Sequence, residues 1–139
     1  MAIISGQTSG GVSKTVLVDS LGRIIHSDSA GGVTTNTFGT TSVASGATTI
    51  IVTYTVPVNK IFTLCGIIVG GNEQAVFDLN IDGSPLVRIR NSGSDRTKTQ
   101  PICAEEELAA GVVISINATN NGKFTRDFEG TIFGKLSDV

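Results

Sequence analysis

The sequence predicts an all-β protein, an antiparallel β-sandwich of jelly-roll type with about eight strands. Three observations support this prediction. Apolar and polar residues alternate through 77–90, and Asp82 and Gly83 interrupt the alternation as a strong turn pair. Charged residues are only 16% of the 139 residues, and Thr, Ser, Gly and Asn take their place. Turn signals recur at close spacing, and no stretch has the periodicity of a long helix.

The first part of the chain, residues 1–48, is predicted to be an extended N-terminal arm. Residues 1–13 have a Gly- and Ser-rich composition typical of a mobile segment or one that becomes ordered on a partner. Residues 14–26 are predicted to form a short β-hairpin, which must pack on the domain or on another subunit because an isolated hairpin is marginal in water. Residues 27–48 are predicted to be a Gly/Ser/Thr-rich linker lying over a surface. Its sparse apolar residues are Val33, Phe38 and Val43.

The second part, residues 49–139, is predicted to be the β-sandwich domain. Residues 61–69 are apolar on both faces of a strand, so we expect a linker or a neighbouring subunit to cover them. Pro101 suits an edge strand because it has no N–H to donate to a ladder. Residues 105–111 are predicted to form one helical turn closed by Gly111. The predicted strands are 49–56, 61–69, the hairpin 77–90, 96–102, 112–118 and 124–133.

Composition also disfavours several function classes. The formal net charge is −2 and no Lys/Arg cluster stands out, so we expect no nucleic-acid binding. No apolar run approaches the roughly 20 residues of a membrane span, and the N-terminus lacks a signal-peptide pattern, so we expect synthesis in a cytosol. Cys65 and Cys103 are predicted to be small buried apolar residues, with a disulfide as the alternative. A weakly charged surface favours packing against other subunits.

Two patterns resemble ligand-binding loops without completing them. Asp78, Asn80 and Asp82 match the first half of a calcium loop, but Ile89 stands where the closing bidentate Glu should be. We therefore interpret them as polar residues on the solvent-exposed face of a strand before a turn. Residues 6–15 superficially resemble a phosphate loop, but Lys14 does not directly follow the last Gly of that stretch.

The remaining polar candidates do not assemble a catalytic set. His26 is the only His and lies beside Ser27 and Asp28 with no nucleophile elbow, so we interpret it as an exposed or interface residue. Three adjacent carboxylates are interpreted as a solvated loop or an electrostatic contact to a basic partner. These are Glu105, Glu106 and Glu107. The basic side chains that could meet them on a neighbouring subunit are Arg88, Arg90 and Arg96. Asn117 begins a glycosylation sequon that matters only after secretion. We predict no catalytic, cofactor-binding or metal-binding residue, no cofactor and no enzymatic activity.

Several stretches together resemble small bacteriophage virion proteins. The first is the short hairpin of residues 16–25, with its Asp-x-x-Gly-Arg pattern, and the second is similar to the segment that opens the jelly roll in that group. The stretches are 16–25, 56–67, 77–83, 108–116 and 128–136. They are distributed along most of the chain, with none in residues 27–48, and each alone is a generic strand and turn.

The resemblance implies a virion structural protein, assembled in the host cytoplasm. Its leading form is a capsid decoration, or cement, protein that forms a homo-oligomer and clamps neighbouring copies of the major capsid protein. Decoration proteins of this size are commonly trimers or dimers, and we expect a trimer first. The alternative is a neck-, tail- or fibre-associated protein, with a carbohydrate-binding module as one form. A sugar-binding site usually needs exposed aromatic rings, and the chain has no Trp and only Tyr54 as a Tyr.

Overall fold

The computed structural model describes the backbone of residues 2–7 and 13–18, and residues 32–139 apart from the side chains of 103–106. The chain divides into two compact units, Met1–Ala30 and Gly31–Val139. Every regular element in the described residues is a β-strand. In that part of the chain no helix is long and apolar enough to cross a membrane. The strands are β1 Ala2–Gln7, β2 Ser13–Val18, β3 Val33–Val43, β4 Thr48–Thr55, β5 Lys60–Gly71, β6 Ala75–Ile81, β7 Ser84–Arg90, β8 Thr97–Leu108, β9 Val113–Asn120 and β10 Arg126–Asp138.

The described residues of the N-terminal unit form one antiparallel pair of strands, β1 and β2. Ala2 lies opposite Val18, and Gln7 lies opposite Ser13. β2 coincides with the first half of the hairpin predicted at 14–26, but its partner β1 comes from the stretch predicted to be a mobile arm. The second half of the predicted hairpin lies outside the described residues.

The second unit is an antiparallel β-sandwich, as the sequence predicted. One sheet, the first sheet, has the strand order β3-β10-β5-β8, and the other, the second sheet, has the order β4-β9-β6-β7. Numbered from β3, these orders are 1-8-3-6 and 2-7-4-5. Two sheets of four strands with this interleaving form a jelly roll.

The prediction that residues 27–48 form a linker is wrong from Val33 onward. β3 spans Val33–Val43 and pairs along its whole length with β10. The apolar alternation that marks a strand is absent because polar Thr occupies most of its inward positions. Thr35, Thr37 and Thr41 are half-buried there. The sandwich unit therefore begins near residue 31, not at 49.

The β6–β7 hairpin confirms the prediction for residues 77–90. β6 and β7 pair antiparallel, and the two-residue turn between them is Asp82-Gly83. Both turn residues have positive φ, 48° and 81°, as a type I′ turn requires. The core faces of these strands and their neighbours meet between the two sheets. The largest fully buried side chains are Phe62, Phe77, Phe128, Leu64, Ile67, Leu79, Ile114, Ile116, Ile132, Val43, Val56 and Val69.

Local irregularities account for the other differences from the sequence predictions. A register shift in β4 between Ile50 and Val52 buries both Ile51 and Val52 and leaves Ile50 exposed, so simple alternation fails there. The predicted helical turn at 105–111 is wrong, because the backbone of β8 continues its pairing with β5 to Leu108. The last strand, predicted at 124–133, begins two residues later, so Phe124 is exposed before β10 and Phe128 and Ile132 are buried within it.

Replacing Phe77 by Ala should destabilise the sandwich by about 3–5 kcal/mol, because it removes a fully buried ring from the centre of the core. Urea denaturation followed by circular dichroism measures this change. The matched control is Phe124→Ala, whose ring is 60% exposed, and it should cost less than about 1 kcal/mol. Equal losses of stability in the two variants would contradict the described core.

Candidate interaction surface

The outer face of the first sheet carries two adjoining shallow depressions, and an exposed aromatic ring lines one of them. The strand registers align residues across all four strands in rows. One row is Phe38, Thr131, Ile68 and Thr99, and the next is Thr40, Glu129, Gly70 and Thr97. Phe38, predicted to lie in a linker, lies on β3 instead, and its side chain is 80% exposed.

A depression of about 210 Å³ lies between these two rows. Gly70 contributes no side chain to its floor, and a Cβ there would lie 3.1 Å from the Thr97 hydroxyl oxygen. The walls include Phe38, Ile68 and Glu129. The depression therefore combines an exposed ring, an aliphatic side chain, hydroxyls and one carboxylate.

A second depression of about 210 Å³ continues from the first and is more polar. The two share Thr40, Thr97 and Glu129. Arg96 and Asp127 line the second one. The Arg96 guanidinium is fixed at the edge of the second depression, because it donates to the carbonyl oxygens of Gly93 and Asn72, each at 3.3 Å.

Together the two depressions form a surface suited to binding. Hydroxyls, backbone groups, one guanidinium and two carboxylates can donate to and accept from a partner. A catalytic site needs a nucleophile, a base and a group that orients the base, placed within hydrogen-bond distance of one another. The side chains lining these depressions provide no such set. In the part of the chain that the structure describes, no cluster of three or more His, Cys, Asp or Glu side chains could hold a metal ion.

The three residues of the partial calcium loop each have a different neighbour. Asp78 accepts two hydrogen bonds from Arg88, at 2.7 and 3.2 Å. Asn80 is buried and donates to the backbone carbonyl of Asp78. Asp82 accepts from the backbone N–H of Val113 at 2.8 Å and so joins the hairpin turn to β9. Each of the three side chains therefore has a hydrogen-bond partner within the protein and needs no cation to account for its position.

The basic residues proposed to meet an acidic partner lie in different surroundings. Arg88 and Arg90 lie on the same exposed face of β7. Arg88 is already paired with Asp78, and this hydrogen bond together with the carboxylate charge raises the pKa of the guanidinium above its usual value. Arg96 lies in the loop before β8 and lines the second depression. Glu107 is exposed on β8, and the side chains of Glu105 and Glu106 lie outside the described residues.

The other candidate residues remain apart from this surface. His26 and its neighbours Ser27 and Asp28 lie outside the described residues. Cys65 is half-buried on β5, and its thiol donates to the carbonyl of Thr63 at 3.6 Å. The side chain of Cys103 lies outside the described residues, so its pairing stays a prediction. Tyr54 is half-buried against Phe62, with ring centroids 4.9 Å apart, and burial raises the pKa of its phenol. It does not provide an exposed aromatic platform.

Sequence reasoning missed two buried asparagines that fix the loops at one end of the sandwich. The Asn120 amide donates to the carbonyls of Val43 and Phe124 at 2.9 and 2.8 Å, and its oxygen accepts from the N–H of Gly122. The Asn91 oxygen accepts from the N–H of Ala75 at 2.7 Å. Asn in a turn is common, so only the tertiary structure distinguishes these residues from their exposed neighbours.

Replacing Asn120 by Ala should destabilise the protein by about 2–4 kcal/mol, because several buried backbone groups lose their partners. Thermal and urea unfolding measure this loss. Asn121→Ala is the matched control, since that side chain is exposed one residue away, and it should change stability by less than about 0.5 kcal/mol. A loss in Asn121→Ala as large as that in Asn120→Ala would contradict the assigned role.

A scan of known protein families and a search of curated proteins each give no match. Among solved structures, the chain is similar to the Drosophila NLP core, described in a crystal structure concerned with pentamer formation and histone binding. The identity is 15%, and the match covers 72% of this chain and 97% of that one. The TM-score is 0.32.

Proposed function

We propose that this chain is a non-enzymatic virion structural protein, most simply a capsid decoration protein that binds the major capsid protein. Its site of action would be the virion, after assembly in the host cytoplasm. The jelly-roll sandwich would sit on the capsid surface, and the N-terminal unit would contact neighbouring capsid subunits. The resemblance of five stretches to small phage virion proteins supports this proposal.

The single observation that carries the proposal is the scarcity of charged side chains on the outer face of the first sheet. Across its two central rows the only charged side chain is Glu129, and the rest are hydroxyl, glycine or apolar residues. Covering such a face removes few ions from water, so the desolvation cost is low. An exposed Phe38 beside a depression is the kind of side chain that contributes most to binding energy.

The division of the chain supports the clamp form of the proposal. Met1–Ala30 is a compact unit of its own that precedes the sandwich. Two linked contacts on one lattice strengthen each other, because the second contact forms at the high effective concentration set by the first. A decoration protein with two contacting units would gain occupancy in this way.

Removing residues 2–30 should lower the number of copies on purified particles, because one of the two contacts is lost. Quantitative mass spectrometry of the particles measures occupancy, and circular dichroism checks that the sandwich is still folded. Hundreds of copies per particle would indicate a capsid location. A handful of copies would indicate a neck or tail location. Unchanged occupancy after the deletion would contradict the clamp, and absence of the chain from particles would contradict the virion function.

A charge on the outer face should weaken capsid binding. Ile68→Lys introduces a cation where the side chain is 37% exposed, and we expect at least about fivefold lower affinity for particles. The matched control is Leu86→Lys on β7, a 44% exposed apolar residue on the second sheet, which should bind as the parent does. Equal binding by both variants in a particle co-sedimentation assay would exclude this face.

The alternative is a carbohydrate-binding module on a tail or fibre. One observation favours it, namely that the exposed Phe38 ring lies beside hydroxyls and the Glu129 carboxylate in one depression. Aromatic faces and such polar groups together can recognise a sugar ring. A glycan array with the parent protein and Phe38→Ala tests this. Hits lost in the variant would support sugar binding, and an array without hits would exclude it.

A further inference from the structure

The sandwich has four edge strands, and each presents a row of backbone groups that no other described strand satisfies. These strands are β3 and β8 in the first sheet and β4 and β7 in the second. An unpaired edge is a template for pairing with another chain, and proteins discourage it with charges, proline or bulges. The four edges differ sharply in these protective features.

Three of the four edges are protected. A register shift interrupts β8 opposite Cys65, and this strand also contains Lys98 and Pro101. β7 contains Pro85 together with two arginines, and its pairing with β6 also shifts register. β4 has a register shift around Ile51. Each of these features makes regular pairing with an incoming strand unfavourable.

β3 lacks all of these protections. Its 11 residues pair with β10 without a register shift, so the strand is regular over its whole length. It contains no charged residue and no proline. Successive residues of a strand direct their N–H and C=O groups to opposite sides, so alternate residues of β3 face the open edge. Phe38, at its centre, is 80% exposed.

We propose that the open edge of β3 pairs antiparallel with β3 of a second copy, about a twofold axis at Phe38. The reason for choosing a second copy is the symmetry of the strand sequence, Val-Thr-Thr-Asn-Thr-Phe-Gly-Thr-Thr-Ser-Val, which reads similarly in both directions. A twofold interface must be complementary to itself, and this strand meets that condition in one register. The opposed residues are Phe38 with itself, Thr37 with Gly39, Asn36 with Thr40, Thr35 with Thr41, Thr34 with Ser42 and Val33 with Val43.

This register gives favourable cross-strand side-chain pairs as well as backbone hydrogen bonds. Opposed residues in an antiparallel pair point to the same face, and cross-strand Thr pairs are favourable. The two Phe38 rings meet on the outer face, and no charged residue is brought against another. Backbone hydrogen bonds then join the two first sheets into one continuous sheet. This inference does not depend on the virion function, and it favours the dimer over the trimer that the resemblance led us to expect first.

Sedimentation velocity on the full-length protein tests the association. The parent should sediment as a dimer, and Phe38→Lys should shift it to monomer because two ammonium groups would be opposed at the twofold axis. Leu86→Lys is the matched control, a 44% exposed apolar residue on β7 of the second sheet, and it should remain dimeric. A parent that is monomeric or trimeric, or a Phe38→Lys variant that remains dimeric, would overturn the proposal.

Disulfide trapping tests the register. In a background with Cys65→Ser and Cys103→Ser, Phe38→Cys should form a disulfide-linked dimer on oxidation, because opposed Cβ atoms lie about 4.5–5.5 Å apart. Asn36→Cys is the control on the same strand face. Its symmetry mate is offset by four residues, about 14 Å, so it should not crosslink with itself. Mixing Asn36→Cys with Thr40→Cys should restore the crosslink.

The pattern of crosslinks distinguishes this register from every other arrangement. Crosslinking of Asn36→Cys with itself, or failure of Phe38→Cys to crosslink, would show that the dimer forms in another register or through another surface and would overturn the proposal. Circular dichroism of each variant confirms the fold. If the edge is occupied instead by another segment of the same chain, the parent stays monomeric and the proposal fails.

Discussion

The contact between Phe77 and Phe128 is the constraint on which the sandwich depends. The two fully buried rings meet edge to face across the sheets, with centroids 5.9 Å apart and an interplanar angle of 71°. Phe77 lies on β6 of the second sheet and Phe128 on β10 of the first. Gly71 must remain without a side chain, since a Cβ there would lie 2.2 Å from the Phe128 ring. The position of β10 is therefore fixed by the core, and β10 in turn pairs with both β3 and β5.

Sequence periodicity predicted the elements whose inward residues are aliphatic or aromatic. The β6–β7 hairpin was predicted correctly because alternation and an Asp-Gly turn agree. β3 was missed because its inward positions hold Thr, whose hydroxyl hides the pattern although its β-branched side chain suits a strand. A helical turn was predicted at 105–111 because consecutive Glu residues followed by Gly are typical of a short helix. The structure has a strand there up to Leu108, because the backbone of β8 pairs with β5.

The candidate interaction surface could not be predicted from the sequence for a different reason. Its rows bring together residues far apart in the chain, such as Gly70 with Glu129 and Thr40 with Glu129. Those juxtapositions depend on the register of three strand pairs, and a shift of one residue would turn each side chain to the opposite face. The sequence predicted a weakly charged surface, but the location of the exposed ring and of the glycine beneath the depression required the structure.

The composition of β3 reflects two demands that act on opposite sides of one strand. On its paired side it must complete the first sheet against β10, which favours β-branched residues of moderate size. On its open side it lacks the charges and bulges of the other edges, although such an edge invites unwanted association. A sequence that is nearly symmetric about its centre favours a twofold partner and the register centred on Phe38. Under the proposed pairing, the absence of protection on β3 follows from its use as an interface, and the protected edges direct assembly toward it.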